Sequence, residues 1–408
     1  CLPVQSLPPA AGKRSIMSAA SEKTCMFIAN RFSNEIEASK CRILEGKELL
    51  LEDYGFNNTL LYSLDMSQYD TSAIPARVTS VHRDRYELIC EYGSVFGRLK
   101  AGVYFNDGSE SFPATGDFVL MIFNRMGDST IIKTLPRKSM FVRSDFSGHA
   151  AGYAKTVLQQ TIAANFDYVF IMTSLNRDFS VNRVMRYLTQ ARQSGSQPVV
   201  LLTKAELQPD FAGYIAEIQK AAPFVPVHAI SSHTGFGLEE LDDYLRPGKT
   251  VVFLGMSGVG KSSLLNALMK QEVMVVSSIR EDDSRGRHTT THRQLFMLPS
   301  GAMVIDTPGM RELGLFHASE GISAEFADVE QLFSQCRFSD CRHTTEPGCA
   351  VLAALDDGTL SRERWENYMS QKQENRFVED KSGYLREKKN WEKSVSMYTK
   401  QSKKRRYY

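Results

Sequence analysis

The chain has 408 residues, 42% of them hydrophobic and 24% charged, and a net charge of +2 at pH 7. No apolar run approaches the roughly 18 residues that a bilayer span requires, and seven cysteines are too few for a disulfide framework in a chain of this length. We therefore predict about two or three globular domains in a monomeric, cytoplasmic protein without membrane attachment.

Residues 1–70 precede the first clear alternation of apolar and polar residues. Residues 1–24 are rich in Ser, Ala and Pro without periodicity, and the hydrophobic region and cleavage site of a secretory signal are not visible. Segments of this kind bury too little apolar surface to fold. We predict that residues 1–70 are a leader that is partly disordered.

Five short runs of alternating residues, separated by turn residues, follow between about residues 75 and 135. Five strands in so short a segment favour a small closed barrel, and the OB-fold is the common five-stranded example, which binds oligonucleotides. We predict an OB-fold RNA-binding domain over residues 71–138, with a β-meander or an SH3-like barrel as alternatives. The runs are Ala76–Val81, Tyr86–Tyr92, Val95–Leu99, Phe118–Phe123 and Thr130–Leu135.

From about residue 150 apolar strands alternate with amphipathic helices. Tyr168–Met172 and Pro198–Leu202 have the composition of buried strands, and Phe179–Ser194 has the pattern of a helix between them. A further apolar run, Pro226–Ile230, precedes the next motif. This organisation predicts an α/β domain over residues 150–318.

Residues 251–264 have the sequence VVFLGMSGVGKSSL, which contains the phosphate-binding pattern G-x-x-x-x-G-K-S between a predicted strand and a predicted helix. In such a loop backbone N–H groups surround phosphate oxygens, Lys261 reaches the β- and γ-phosphates, and the Ser262 hydroxyl binds Mg²⁺. A glycine-rich turn with a chance lysine is the alternative. The predicted nucleotide-binding residues are Gly255, Ser257, Gly258, Val259, Gly260, Lys261, Ser262 and Ser263.

A D-x-x-G pattern follows the apolar strand that ends at Ile305. Asp306 occupies the position of a carboxylate that binds Mg²⁺ through water, and the N–H group of Gly309 can contact a γ-phosphate. With the phosphate loop, this pattern predicts hydrolysis of a nucleoside triphosphate and argues against a kinase. An Asp-Pro turn after a core strand is the alternative.

Four residues with metal-binding side chains, Cys336, Cys341, His343 and Cys349, lie within fourteen positions. Three thiolates and one imidazole suit tetrahedral Zn²⁺ in a closed structural site. The spacing differs from the usual C-x₂-C knuckle, and a group of buried free cysteines is the alternative. We predict one structural zinc ion in a helical domain over residues 319–380.

The final segment, residues 381–408, contains ten Lys or Arg and two Glu, so that it carries +8 and the rest of the chain carries −6. Clustered cations interleaved with aromatic residues favour RNA, through phosphate neutralisation and base stacking. A solvated charged tail is the alternative. The aromatic residues are Tyr384, Trp391, Tyr398, Tyr407 and Tyr408.

The choice between GTP and ATP depends on a motif that reads the base, in which a carboxylate accepts two hydrogen bonds from guanine. No N-K-x-D sequence follows the D-x-x-G pattern, but Thr203, Lys204 and Glu206 follow an upstream strand. Ser231 and Ser232 begin a loop similar to the one that meets guanine O6 in GTPases. All parts of a GTPase are therefore present, with the half that reads the base placed first.

Several motifs occur together in this unusual order, over about residues 75 to 375: Pro113-Ala114-Thr115-Gly116-Asp117, Ser174–Phe179, Arg287–Thr291, Asp306–Leu313 and the Cys/His cluster with its Glu346-Pro347 pair. The combination resembles the RsgA (YjeQ) family of circularly permuted ribosome-biogenesis GTPases. The resemblance implies an OB domain, a permuted G domain and a zinc domain, with GTP or GDP, Mg²⁺ and Zn²⁺ as ligands. It also implies binding to the small ribosomal subunit and its rRNA, which stimulates GTP hydrolysis.

The chain departs from the usual GTPase pattern at three positions. Thr203 stands in place of Asn, and Glu206 in place of Asp, which moves the carboxylate by about one methylene and puts guanine discrimination in question. Met310 stands in place of the glutamine that orients water. We therefore expect slow hydrolysis by the protein alone.

The resemblance implies that His288 positions water once a partner orders its loop, and that Thr290 binds Mg²⁺. An exposed loop histidine without a role, and Thr289 or Thr291 in place of Thr290, are the alternatives. The sequence thus favours a GTPase that binds the small ribosomal subunit and hydrolyses GTP during late subunit maturation. A nucleotide-gated rRNA-binding module with incidental hydrolysis is the alternative function.

Overall fold

The computed structural model describes residues 50–62, 64–105, 111–145, 158–175, 179–208, 210–274, 293–306 and 318–379. Within these ranges the strands form one sheet of 11 strands and one of two. In chain order they are β1 (Ala73–Val81), β2 (Tyr86–Cys90), β3 (Gly93–Leu99), β4 (Phe118–Ile122), β5 (Ser129–Thr134), β6 (Met140–Asp145), β7 (Leu158–Ala164), β8 (Tyr168–Ser174), β9 (Gln197–Thr203), β10 (Val227–Ala229), β11 (Thr250–Gly255), β12 (Gln294–Met297) and β13 (Met303–Asp306).

The α-helices of the same ranges are short except for two. None of them is both long and apolar enough to cross a membrane. They are α1 (Thr59–Tyr62), α2 (Ala101–Tyr104), α3 (Val181–Gln193), α4 (Ala212–Ala221), α5 (Lys261–Met269), α6 (Ser319–Glu325), α7 (Ala327–Phe333), α8 (Ala350–Asp356) and α9 (Arg362–Glu379).

The first five strands close into a barrel. β1 pairs antiparallel with both β2 and β4, β3 pairs in parallel with β5, and β4 pairs antiparallel with β5. The resulting closed order, β1-β2-β3-β5-β4-β1, is that of a five-stranded Greek-key barrel of the OB type. The predicted barrel is confirmed, whereas a simple meander would pair β3 with β4.

Residues of the predicted leader pack against this barrel from residue 50 onward. The 3-10 helix Leu51–Tyr54 and α1 bury Leu51, Phe56 and Leu61 in the same hydrophobic cluster as barrel residues. The Phe56 ring meets the Phe118 ring edge-on, with 5.4 Å between centroids. This part of the segment therefore belongs to the packed structure of the barrel.

The rest of the large sheet has the order β10-β9-β8-β11-β13-β12. In this order the neighbouring strands β10, β9, β8, β11 and β13 are all parallel. The last strand, β12, is antiparallel to β13. Every residue of β11 is buried, as expected for a parallel strand covered on both faces. Because parallel strands end at the same edge, the loops after β9, β10, β11 and β13 meet there.

The barrel and the α/β sheet are continuous through β12, a strand that the sequence analysis did not predict. β12 pairs with β13 on one side and, at Gln294 and Ser80, with β1 of the barrel on the other. The hairpin β6–β7 was also not predicted, and Ala163 in β7 forms a bridge with Thr115 of the barrel. These contacts fix the barrel on the α/β domain.

The C-terminal helices share one hydrophobic core with the α/β domain. Phe326, Val329 and Val351 belong to the same buried cluster as Val184 of α3. α6 packs closely on α3. A Cβ at Gly321 of α6 would lie only 2.5 Å from the Thr189 carbonyl oxygen of α3. The region predicted as a separate zinc domain therefore packs directly on the α/β domain.

Candidate nucleotide site and metal cluster

The predicted phosphate loop joins β11 to α5. A Cβ at Gly255 would lie 2.5 Å from the Met172 carbonyl oxygen on the neighbouring β8, so that only glycine fits. Gly258 and Gly260 have φ values of 76° and 102°, which glycine adopts at low cost. Lys261, at the start of α5, donates from Nζ to the carbonyl oxygens of Gly255 and the next residue, both at 2.7 Å. The ammonium group is thus held against the loop.

The remaining predicted residues of the loop occupy its turn and the first turn of α5. Ser257, Ser262 and Ser263 are half-buried, and Val259 is 4% exposed. Val259 packs in the cluster beneath the loop, whereas the three serine residues are partly exposed. The hydroxyl-bearing positions therefore have the accessibility that phosphate or Mg²⁺ binding requires.

Thr203, predicted to read the base, is connected to the phosphate loop. It is the last residue of β9, and its hydroxyl donates to the Val259 carbonyl oxygen at 2.7 Å. The side chain is 2% exposed. A threonine placed in this way holds the phosphate loop against the neighbouring strand end, a role that its position in the sequence did not indicate.

Lys204 and Glu206 follow β9 at the same sheet edge. Lys204 has a φ of 62° and precedes the 3-10 helix Ala205–Leu207. Positive φ in a non-glycine residue is uncommon and costs free energy. The Ala205 N–H donates to the Ile230 carbonyl oxygen at 3.1 Å, which ties this loop to the one after β10. Glu206 is exposed, so its carboxylate is accessible to a base.

Ser231 and Ser232 begin the loop after β10. Ser231 is fully buried, and its Oγ accepts a hydrogen bond from the Thr234 N–H at 3.1 Å. Its own N–H donates to the Phe236 carbonyl oxygen at 2.9 Å. Ser231 thus closes a compact turn, and the half-buried Ser232 follows it at the surface of that turn.

Asp306 ends β13 beside the phosphate loop. β13 is parallel to β11 with Ile305 opposite Val252, so both strands run toward the same edge. Asp306 is 6% exposed, and its backbone is opposite Gln294 of β12. A carboxylate at this edge is well placed to bind a magnesium ion carried by a nucleotide.

The predictions for the reacting end of the site cannot be placed on the structure. Gly309, His288 and Thr290 lie outside the described residues, as does the basic segment 381–408. The structure thus brings together the phosphate loop, the two loops predicted to read the base, and Asp306.

Cys336, Cys341, His343 and Cys349 converge, with all four ligand atoms within 4.8 Å of one another. Cys336 Sγ lies 3.6 Å from His343 Nδ1 and 4.0 Å from Cys349 Sγ, and His343 Nδ1 lies 3.4 Å from Cys349 Sγ. In tetrahedral zinc sites sulfur ligands are about 3.8 Å apart, and sulfur and nitrogen about 3.5 Å apart, given the usual bond lengths. The cluster therefore fits zinc in both donor type and spacing.

Aromatic rings hold the histidine of this cluster. The His343 ring stacks on Phe333 at 4.4 Å between centroids, and Trp365 of α9 meets it edge-on at 5.9 Å. His343 has a φ of 59°, and its Nδ1 lies within 3.6 Å of the sulfur atoms of Cys336 and Cys349. The ligand loop is therefore packed against α7 and α9.

Glu346 organises the loop between the last two ligands. Its carboxylate accepts hydrogen bonds from the N–H groups of Thr344 at 2.9 Å, Thr345 at 3.0 Å and Arg342 at 3.1 Å. These bonds, led by that from Thr344, lower the pKa of Glu346 to about 2. The charged carboxylate thus accepts the backbone hydrogen bonds that a helix or strand would otherwise satisfy in this loop.

A residue that the sequence analysis missed, Arg77 of β1, is buried between the barrel and the α/β sheet at 1% exposure. Its neighbours Ala76 and Val78 point into the barrel, so the alternation places Arg77 on the outer face. An arginine on an outer face is ordinarily exposed. It is buried here because the α/β domain covers that face of the barrel, which strand periodicity alone does not reveal.

The family model for the RsgA GTPase matches residues 134–316. Small ribosomal subunit biogenesis GTPase RsgA 2 of Listeria monocytogenes serotype 4b (strain F2365) is 44% identical over 326 residues, which cover 80% of this chain and 89% of that protein. Small ribosomal subunit biogenesis GTPase RsgA of Streptomyces avermitilis is 42% identical over 324 residues, which cover 78% of this chain and 84% of that protein.

The fold is similar to two solved structures. The crystal structure of YjeQ from Thermotoga maritima has a TM-score of 0.55 and 26% identity, and the match covers 73% of this chain and 96% of that one. The crystal structure of YloQ, a circularly permuted GTPase, has a TM-score of 0.56 and 22% identity, with 76% and 97% covered. The order found here, with β9 and β10 before the phosphate loop, is thus a circularly permuted GTPase fold.

Proposed function

The chain belongs to the RsgA family of GTPases, and on this premise we propose that it binds the small ribosomal subunit and hydrolyses GTP during late maturation of that subunit. One observation carries the proposal: the phosphate loop, the two loops after β9 and β10, and Asp306 converge at one sheet edge. The ribosomal partner comes from the names of relatives that are 42% and 44% identical.

In this proposal residues 255–263 surround the phosphates of GTP, with Lys261 on the β- and γ-phosphates and the Ser262 hydroxyl on Mg²⁺. Lys204 and Glu206 contact guanine. Thr203 holds the phosphate loop in place through its hydrogen bond to the Val259 carbonyl oxygen. Mg²⁺, when bound, neutralises charge that develops on the β- and γ-phosphate oxygens. Asp306 holds a water ligand of that ion.

The residues nearest the transferred phosphate are assigned from the sequence. Gly309 donates its N–H to the γ-phosphate, Thr290 contributes a hydroxyl to Mg²⁺, and His288 orients the attacking water. Met310 has no hydrogen-bonding group that could replace the usual glutamine. We therefore propose that turnover is slow until binding to the ribosomal subunit places His288 against the attacking water.

We propose that the barrel and the cysteine cluster region both contact rRNA. Arg83 and Arg85 are exposed on the barrel, and the Arg85 guanidinium covers the Phe96 ring at 4.0 Å. Tyr92 is 41% exposed and supplies an aromatic face for a base. Cations next to accessible rings are what single-stranded RNA binds.

The cluster of Cys336, Cys341, His343 and Cys349 binds one structural zinc ion in this proposal. It has four soft ligands and no fifth side chain among the described residues of the cluster, which suits a closed site without a catalytic position. The ion joins the end of α7 to the start of α8, and so it fixes the surface that the C-terminal helices present to RNA. We place the protein in the cytoplasm. We also propose that it is a monomer, which size-exclusion chromatography tests.

The test is GTP turnover measured with and without purified small subunits. We expect the subunits to increase turnover by wild type, and the Lys261→Ala variant to lose both the basal and the stimulated rate. Lys220→Ala, an exposed lysine of α4, is the matched control and should retain both rates. Large subunits in place of small ones control for nonspecific stimulation by rRNA.

Co-sedimentation separates the proposal from the alternative function. Nucleotide-dependent binding to small subunits together with stimulated turnover supports a GTPase that acts on the subunit. Nucleotide-dependent binding without any stimulation would instead favour an rRNA-binding module whose hydrolysis is incidental. Equal binding to both subunits would contradict the proposed partner.

A further inference from the structure

Arg77 connects the barrel to the strands that carry the nucleotide site. Its guanidinium has five N–H donors, and each side-chain nitrogen has at least one acceptor within the described structure. Nε and Nη1 reach the segments around the barrel, and Nη1 and Nη2 reach the α/β domain. The acceptors are Gly116 O at 3.2 Å, Tyr54 O, Met303 Sδ at 3.1 Å, Asn165 O at 3.2 Å and Thr250 Oγ1 at 3.0 Å.

Two of these acceptors begin the strands that end at the proposed nucleotide site. Thr250 is the first residue of β11, which ends at Gly255, and Met303 is the first residue of β13, which ends at Asp306. At about 3.3 Å per residue, Met303 lies about 10 Å from Asp306 along the strand. One side chain thus fixes the starts of the two strands that deliver the phosphate loop and the carboxylate.

A second contact connects the barrel to Asp306 across the sheet. Gln294 of β12 is opposite Asp306 on one side and opposite Ser80 of β1 on the other, so the three residues form one row. The Ser80 hydroxyl also donates to the Arg293 carbonyl oxygen at 3.2 Å. The barrel is therefore one strand away from Asp306.

The guanidinium holds its charge at this buried position. Burial lowers the pKa of Arg77 to about 10, against the opposing charges of Asp167 and Asp117. The group is therefore protonated at neutral pH. A lysine at this position has three donors on one nitrogen and cannot reach acceptors on both sides of the junction.

We propose that Arg77 is a positioning residue for GTP hydrolysis, which sets β11 against β13 and thereby fixes the distance between the phosphate loop and Asp306. This inference rests on the proposed function of that site. It makes the barrel part of the catalytic framework as well as an RNA-binding domain. Displacements of about 1 Å at a catalytic site reduce turnover substantially, so the register of these two strands matters.

The test compares Arg77→Lys with Arg364→Lys. Arg364 is also buried, at 4% exposure, and joins α9 to Asp328 and to the carbonyl oxygens of Ala221 and Glu325, away from β11 and β13. Both variants should lower the Tm. A third variant, Thr250→Val, removes one acceptor of Arg77 with little change in volume and covers the case in which Arg77→Lys does not fold.

The measurements are intrinsic GTP turnover across a range of Mg²⁺ concentrations and GDP affinity without Mg²⁺. For Arg77→Lys we expect kcat to fall about tenfold and the half-maximal Mg²⁺ concentration to rise at least about threefold. Thr250→Val should change both in the same direction by a smaller factor. GDP affinity without Mg²⁺ should stay within about twofold of wild type, because Asp306 takes part only through the ion.

The outcome that overturns the inference is an Arg77→Lys or Thr250→Val protein whose Mg²⁺ dependence and kcat match those of Arg364→Lys. Wild type without GTP turnover would contradict the proposed function instead. The inference is then decided by binding of a non-hydrolysable GTP analogue with and without Mg²⁺. A gain in affinity on adding Mg²⁺ that is reduced only in the Arg77 and Thr250 variants supports it, and equal gains in all variants refute it.

Discussion

Thr203 and Lys261 bind the same short loop, Thr203 from the end of β9 and Lys261 from the start of α5. The lysine donates to carbonyl oxygens at the start of the loop, and the threonine donates to a carbonyl oxygen near its end. Loop carbonyl groups that are fixed in this way leave the loop N–H groups free to orient toward a phosphate. Threonine at a position where other GTPases have asparagine thus has a physical role.

Replacement of Thr203 by valine should weaken nucleotide binding without changing base selectivity. The loss of one hydrogen bond to the phosphate loop costs about 0.5–1.5 kcal/mol, so the affinity for GTP and for GDP should fall by the same factor, about 2- to 10-fold. Titration with fluorescent nucleotides measures both. Thr134→Val, a buried threonine of the barrel, should leave both affinities unchanged. Wild-type affinity in Thr203→Val would show that the hydrogen bond is unimportant.

Glu206 should determine the preference for guanine over adenine. Hydrogen bonds to a charged group contribute about 1.5–3 kcal/mol, so Glu206→Ala should reduce the preference for GTP over ATP by roughly 10- to 150-fold. Competition of ATP against a bound fluorescent GTP analogue measures this ratio. Glu239→Ala, an exposed acid in the neighbouring loop, is the control. ATP that competes with GTP within about tenfold in wild type would instead contradict guanine specificity.

We expect Asp167 to make a pH-dependent contribution to the free energy of unfolding. Burial raises its pKa, but the Lys138 ammonium at 2.8 Å and the Thr250 N–H at 2.9 Å outweigh burial, and the pKa lies below its ordinary value of 3.8. A carboxyl with a lowered pKa stabilises the fold above its ordinary pKa, and this stabilisation is lost as pH falls through the folded-state pKa. Asp167→Asn should therefore be less stable than wild type at pH 7.

Urea unfolding at several pH values tests this expectation. The difference in the free energy of unfolding between wild type and Asp167→Asn should be constant from about pH 7 to pH 5 and shrink below about pH 4. The comparison cancels the titration of the other carboxyl groups, which both proteins share. A difference that does not change with pH would mean that the charge of Asp167 contributes nothing.

At the scale of elements, the strands of the barrel and of the α/β core follow from local patterns, and the contacts between domains do not. β2 and β5 lie within two residues of their predicted bounds, since alternation specifies which face is buried. β12 was missed because it has only four residues, and its pairing partners lie in β1 and β13.

The residues of the proposed sites also fall into two groups, those that a local sequence pattern identifies and those whose roles depend on partners distant in the chain. The loop from Gly255 to Ser263 is recognisable because its spacing along the chain is itself the chemical requirement. The Cys/His cluster is recognisable because three thiols and one imidazole lie within fourteen positions. Arg77 and Thr203 were not assigned their roles, because their partners are up to 226 and 56 positions away. Only the folded chain brings these groups together.

The cysteine cluster should determine the stability of the C-terminal helices. Cys349 is the N-cap of α8, and its Sγ accepts a hydrogen bond from the Leu352 N–H at 3.5 Å, so removal of a metal ion should affect the start of that helix directly. Chelation should release about one zinc ion per chain and lower the Tm by at least about 5 °C. Trp365 lies beside His343, so its fluorescence should change on chelation. The Trp391→Phe substitution removes the other tryptophan of the chain, so that the signal comes from Trp365 alone.

Two cysteine variants control for nonspecific effects of chelation. Cys341→Ser should bind less zinc and show the fluorescence of the chelated protein. Cys90→Ser changes a buried cysteine of the barrel, and its zinc content should remain that of wild type. Full zinc content in Cys341→Ser would remove this residue from the ligand set.

At the scale of the whole molecule, the permuted order of motifs places Asp306 between the barrel and the C-terminal helices. The described chain resumes at Ala318, whose N–H donates to Asn375 Oδ1 of α9 at 3.0 Å. Three residues later the Gly321 N–H donates to Gln193 Oε1 of α3 at 2.6 Å. The described residues on either side of positions 307–317 are thus fixed, Asp306 by the sheet and Ala318 by a hydrogen bond to α9.

The basic segment after α9 should strengthen binding to the small subunit in a salt-dependent manner. Deletion of residues 381–408 removes a net charge of +8. If these cations neutralise phosphates, the slope of log K against log salt should become shallower by about 0.7–0.9 for each phosphate that is no longer neutralised. Intrinsic GTP turnover should be unchanged, because every residue of the proposed nucleotide site lies between positions 203 and 309.

Two substituted tails separate charge from stacking. Glutamine in place of the four basic residues at 403–406 should reduce the salt slope and retain the aromatic contribution. Leucine in place of Tyr384, Trp391 and Tyr398 should instead weaken binding by a factor that does not depend on salt, since base stacking contributes about 1–3 kcal/mol per base. An unchanged slope after complete deletion of the segment would identify it as a solvated tail, and would leave the barrel and the cluster region as the surfaces that bind RNA.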